Sequence, residues 1–126
     1  MDTKIRDKRA GKKIGLIGLL TDIRRVVDKD IATEFIYQDP EGVVNEYAAF
    51  LKNEKDCDMV ICLSHLGYKE DMELAAAVRN VDIIVGGHSH TLLQDKHLVK
   101  NPDGEEVAVV QNWKWGLNVG MLKVNF

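Results

Sequence analysis

Three short apolar runs constrain this chain more than any other feature: Lys13–Leu20 (KIGLIGLL), Met59–Leu63 (MVICL) and Val81–Val85 (VDIIV). Each is far below the ~18 residues of a membrane span. Each is also nearly unbroken, the pattern of a strand covered on both faces. Helical spacing fills much of the chain between them. Asp39-Pro40 opens a helix, because Asp offers an N-cap acceptor and Pro at the first helical position gives up no needed N–H. Val43, Val44, Tyr47, Ala48 and Leu51 then recur on one face, with Asn45, Glu46 and Lys52 on the other. A second helix is predicted over Lys69–Arg79, with Glu70, Asp71 and Glu73 where the helix dipole favours acids. Strands alternating with helices imply parallel pairing.

The remaining segments complete the pattern. The polar stretch from Thr21 to Ile31 reads as a loop, and Thr33–Tyr37 (TEFIY) as a short strand rich in β-formers. Asn101-Pro102-Asp103-Gly104 is a strong turn signal that joins His97–Lys100 to Glu106–Gln111 as a hairpin. Asn118–Phe126 reads as a last strand. The expected fold is α/β: a mixed sheet with a parallel βαβαβ unit and a C-terminal antiparallel hairpin.

Composition narrows the function classes. At 126 residues, 45% hydrophobic and 29% charged, the chain has the balance of one globular domain. The net charge of −3 gives no broad basic field, which argues against a nucleic-acid partner. Six basic residues do cluster at the start (Lys4, Arg6, Lys8, Arg9, Lys12, Lys13). Residues 1–12 are therefore expected to be a basic, solvated start, and 13–126 the domain; an arm for anionic partners is the rival reading. No apolar run behind Met1 marks a secretory signal, and no stretch is long enough for a membrane partner. Cys57 and Cys62 are too few for a disulfide framework.

Chemistry enters where two of the strands end. MVICL runs into Ser64-His65-Leu66-Gly67, and VDIIV into Gly86-Gly87-His88-Ser89-His90. In open α/β sheets functional residues gather past the carboxyl ends of the strands. Neighbouring strands lie about 5 Å apart, which would let three imidazoles converge on one point. Neutral imidazole suits Zn, Mn and similar divalent ions. If the segment is extended, His88 and His90 point to one side. Gly86 and Gly87 remove Cβ bulk and admit a sharp turn or close approach. A lone S-H-L-G more often marks a hydrogen-bonded core histidine, and G-G-H-S-H alone could be a phosphate-contacting turn. The two motifs on successive strand ends favour a metal. His97, after Asp95-Lys96, reads as surface structure, and Asp82, at a strand start, as a local cap or pair.

Taken together, CDMVICLSHLGYKEDMELAAAV, NVDIIVGGHSHTLL and NPDGEEVAVVQNWKWGLNVGMLKVNF resemble the second half of the catalytic domain of the 5′-nucleotidase and UDP-sugar hydrolase family of calcineurin-like metallophosphoesterases. KIGLIGLL and FIYQDP match as well, so the resemblance runs from about Lys12 to Phe126. It implies the C-terminal half of an α/β/β/α sandwich. It implies hydrolysis of nucleotide phosphates or other phosphoesters through a dinuclear centre of divalent ions (Zn, Mn or similar). In that centre His65 and His88 bind one metal and His90 the other. It also implies that Asn112-Trp113-Lys114-Trp115-Gly116 is a loop near the substrate; packing of Trp113 and Trp115 under the hairpin is the alternative. Family members are usually periplasmic or exported.

The resemblance also defines what the chain lacks. The family's first half supplies D-x-H, then G-D, then G-N-H-[DE], a series that does not occur in these 126 residues. The bridging carboxylate and the catalytic histidine belong to that half. A chain with half a sheet should expose apolar strands, so it is expected to oligomerise or to pair with its missing N-terminal half. The alternative function is a non-catalytic binding module derived from the fold by truncation.

Overall fold

The computed structural model describes residues 2–7 as backbone and residues 11–126 in full. The three apolar runs, the two predicted helices and the hairpin form in the predicted order. Strand β1 (Asp2–Asp7) is followed by β2 (Lys12–Leu20), a short 3-10 turn (Ile23–Arg25) and a one-turn helix α1 (Lys29–Ala32). Helix α2 (Pro40–Asn53), β3 (Met59–His65), α3 (Tyr68–Ala77) and β4 (Ile83–Val85) come next, then the hairpin β5 (His97–Lys100) and β6 (Glu106–Val110). One six-stranded sheet has the order β1-β2-β3-β4-β6-β5. The central pairs β2–β3, β3–β4 and β4–β6 are parallel, and β1 and β5 close the edges in antiparallel fashion.

Local chemistry explains the helix starts. Asp39 caps α2 as expected, its Oδ2 accepting from the Gly42 amide at 3.2 Å with Pro40 at the first position. Val44, Ala48 and Leu51 are its buried stripe. Gly15 on β2 lets this helix approach closely, since a Cβ there would lie 2.8 Å from Leu51 Cδ1. The core joins Ile17, Leu19, Val60, Cys62, Ile84, Val107 and Val109 of the sheet to Leu51, Leu74, Ala75 and Val78 of α2, α3 and the residue after. Asp82 pairs locally: its Oδ2 accepts from the Val60 amide at 2.8 Å and lies 3.0 Å from Lys52 Nζ.

Some expectations are corrected by the structure. Thr33–Tyr37 forms no strand, and Thr21–Ile31 holds the 3-10 turn and the start of α1 rather than a plain loop. Asn118–Phe126 is not a strand either; Met121, Leu122, Val124 and Phe126 lie across the sheet and, with Ile14, Met59, Ile61 and Ile83, enclose a cavity of ≈ 560 Å³. Residues 2–7 within the basic start form β1, and Lys8 and Arg9 of the basic cluster lie outside the described residues. Finally, the sheet is not covered on both faces. The helices bury one face, whereas on the other Leu20 is 67% and Leu63 48% exposed. The apolar runs carry enough hydrophobicity for two covers, and these residues supply one and a tail.

Candidate metal-facing site

Parallel pairing brings three loops to one edge of the sheet. His65 ends β3, opposite Leu20 of β2 in the register. Gly86–His90 leave β4, and Gln111–Trp115 leave β6. The last two loops are joined: Leu92 bridges Asn112, and the Trp113 amide donates to the Thr91 carbonyl at 3.0 Å.

His65 and His88 meet. Their rings stand edge to face with centroids 5.2 Å apart, and both residues are exposed. The glycines serve this approach. A Cβ on Gly87 would lie 3.1 Å from His65 Nδ1, and one on Gly86 would run into Asp71 and Gln111 beneath the loop. His90 does not join the pair. Among the described residues no three His, Cys, Asp or Glu side chains form a ligand group. The expected convergence of three imidazoles on one point is therefore corrected. Its premise was an extended segment, but His88 (φ 69°) and His90 (φ 53°) both adopt the left-handed conformation, so the chain turns between them. Alternation of side chains does not hold through such a turn.

The loop after β6 is an exposed aromatic surface. Trp115 is 77% exposed, whereas Trp113, 39% exposed, is more than half covered. Lys114 Nζ lies 4.0 Å from the Trp115 ring centre and 5.6 Å from that of Trp113, within cation–π range. Asn112 is half-buried, and Gly116 takes φ 67°. One D-x-H string does occur in the chain, Asp95-Lys96-His97. Its histidine is occupied elsewhere, with Nδ1 2.6 Å from the Tyr68 hydroxyl.

Beneath the histidines lie two buried polar residues whose roles the sequence did not reveal. Asp71 in the first turn of α3 is fully buried and binds the Ser64 hydroxyl at 2.5 Å. Gln111 is 3% exposed and accepts from the Thr91 amide at 2.5 Å and the Ser89 hydroxyl at 3.1 Å. Burial pushes the Asp71 carboxyl up to about 6, against the smaller opposing effect of the Ser64 bond. Burial likewise pushes the Cys62 thiol to about 12, with the Asp71 charge adding to it, so this thiol is inert.

The Asp71 shift sets a pH dependence. A carboxyl that holds its proton more tightly in the folded state adds stability below its ordinary value of 3.8. That contribution is lost as pH rises through about 6. The stability of the wild type relative to Asp71→Asn should therefore fall between pH 4 and pH 7, by roughly 2–3 kcal/mol. Denaturant titrations of both chains at pH 4, 5, 6 and 7 measure this; a constant difference would show that the carboxyl titrates normally.

The paired histidines stand at the carboxyl edge of the sheet, where open α/β sheets gather their functional residues. No protein-family model matches the chain. It is 31% identical over 133 residues to a probable 5′-nucleotidase of Treponema pallidum, covering 94% of this chain and 22% of that protein. Among solved structures, the 5′-nucleotidase precursor of Thermus thermophilus superposes with a TM-score of 0.75 at 33% identity. It covers 91% of this chain, which spans 24% of it. The NAD nucleotidase of Haemophilus influenzae also superposes at 0.75, with 28% identity, over 89% of this chain and 24% of that one. The chain is thus a relative of the 5′-nucleotidases over one segment, and it spans about a fifth of the length of the first curated relative. Among the described residues no helix is long and apolar enough to cross a membrane.

Proposed function

We propose that this chain is the histidine-bearing part of a metal-dependent phosphoester hydrolase acting on nucleotide phosphates. In this reading residues 13–126 are a partial metallophosphoesterase domain, and a first half supplies the remaining metal ligands and the catalytic histidine. The observation that carries it is the His65–His88 pair at the carboxyl edge of the sheet, in a segment similar to proteins named as 5′-nucleotidases.

The residues present fit part of a metal site. Two exposed imidazoles stand edge to face, and Gly87 keeps Cβ bulk away from one of them. Their neutral nitrogens suit a borderline divalent ion such as Zn or Mn. His65 and His88 would hold one ion, and His90, set apart by the turn, the other. When bound, such a pair supplies Lewis acidity toward phosphoryl oxygens and an activated nucleophile. The Asn112–Gly116 loop would face the substrate, with Lys114 offering a positive charge and Trp115 an open ring. The uncovered face of the sheet, with Leu20 and Leu63 exposed, would take the missing half of the sandwich or a second copy. Export is the corresponding location, in keeping with the Thermus thermophilus relative, which is named a precursor.

Zinc and manganese titrations of the 126-residue chain test the assignment. His65→Ala and His88→Ala should each weaken binding by at least tenfold, because each removes one ligand of a shared ion. Stable folding with a metal content unaffected by His88→Ala would instead support the non-catalytic binding module.

A further inference from the structure

We propose that Asp71 and Gln111 are positioning residues, the two arms of a buried polar bracket that locks the His65 and His88–His90 loops together around Gly86. The proposal deepens the metal-facing reading and rests on it for its consequence, though its geometry stands alone.

One arm fixes the first loop. Asp71 Oδ1 accepts from Ser64 Oγ at 2.5 Å, and the same hydroxyl accepts from the Leu66 amide at 3.1 Å. Ser64 and Leu66 flank His65, so this bond chain spans the histidine's own backbone. The other arm fixes the second loop. Gln111 Oε1 takes the Thr91 amide and the Ser89 hydroxyl, the residues on either side of His90. Ser89 Oγ in turn accepts from the Tyr68 amide at 3.0 Å, tying this loop to the start of the helix that carries Asp71. The two arms meet at Gly86. A Cβ there would stand 2.2 Å from Asp71 Oδ2 and 3.1 Å from Gln111 Nε2. Both atoms are buried without a partner, and one is an acceptor, the other a donor. They face a common space that only glycine leaves open.

A packing role alone does not account for this arrangement. A buried carboxylate with an orphaned oxygen costs stability, and an apolar residue of similar size would fill the site more cheaply. What an apolar residue cannot do is hold the Ser64 hydroxyl in the orientation that caps Leu66. Residues that orient metal-facing histidines from behind commonly change metal affinity ten- to a hundredfold when removed.

The test uses the 126-residue chain, with no metal added for its first two readouts. These are amide exchange at Leu66, Tyr68 and Thr91, and the imidazole ¹⁵N–¹H correlations of His65 and His88. Zinc affinity is the third. Gln111→Leu should speed Thr91 exchange by at least about tenfold. Asp71→Leu should do the same at Leu66. Both should move the imidazole signals and weaken zinc binding by about tenfold or more. Asp71→Asn keeps an acceptor for Ser64 and should restore Leu66 protection. If Asp71→Leu does not fold, Ser64→Ala reports on the same arm.

Folded Gln111→Leu and Ser64→Ala chains with wild-type imidazole signals and zinc affinity would overturn the proposal. If the wild type binds no zinc, the metal reading fails, while the exchange and imidazole readouts still decide the bracket.

Discussion

Gly86→Ala should destabilise the chain by about 3 kcal/mol or more, although it adds a single methyl group. The new Cβ would stand 2.2 Å from Asp71 Oδ2, well inside contact distance. Overpacking alone costs about 1–3 kcal/mol where neighbours cannot yield. Here they cannot yield cheaply: the carboxylate is fully buried and held by Ser64, and Gln111 Nε2 waits at 3.1 Å on the other side. Moving Asp71 breaks the Ser64 bond and leaves buried polar groups unpaired, at about 1–3 kcal/mol more. Thermal or urea unfolding gives the number. The double variant Gly86→Ala/Asp71→Ala removes the clash, so its loss should be clearly less than the sum of the single losses. Strict additivity would mean that the glycine and the carboxylate do not meet.

Much of the fold can be read from the residues because its physics is local. KIGLIGLL, MVICL and VDIIV are short, apolar and rich in β-branched residues, and all three pair in the sheet. Asp39-Pro40 and Asn101–Gly104 carry their own hydrogen-bonding chemistry, and the helix and hairpin they announce are present. The misses have non-local causes. Residues 2–7 have no apolar pattern, and their strand exists through its ladder with β2. NVGMLKVNF has strand-like composition but finds no ladder partner, so it lies across the open face instead. The site divides in the same way. His65 and His88 are brought together by strand order, which the alternation of elements implies. His88 and His90 take left-handed backbone conformations that no spacing rule encodes. Asp71 looked like an ordinary acid in the first turn of a helix. Only the packing of α3 under the β4 loop makes it a buried partner of Ser64.

The 126-residue chain should bind at most one divalent ion and hydrolyse 5′-AMP at least about a thousandfold more slowly than a complete nucleotidase. The reason is charge. Two dications at the roughly 3.5–4 Å spacing of a dinuclear centre repel by on the order of 18 kcal/mol at an effective dielectric of about 20. Neutral imidazoles supply lone pairs but no negative charge, and His65, His88 and His90 are all that the motif loops offer. Among the described residues no carboxylate completes a three-donor group with them. Asp71 is not available: it is buried and bonded to Ser64. Metal analysis by mass spectrometry and a phosphate-release assay with manganese or zinc check both halves of the prediction. Two ions per chain with ordinary turnover would refute it.

A polypeptide carrying D-x-H and G-N-H-[DE] should raise stoichiometry and rate together. It should do so by covering the sheet face that bears Leu20 and Leu63, because α2 and α3 already occupy the other. Leu63→Lys, a change at a half-exposed site, should then block the gain while leaving the unfolding of the isolated chain nearly unchanged.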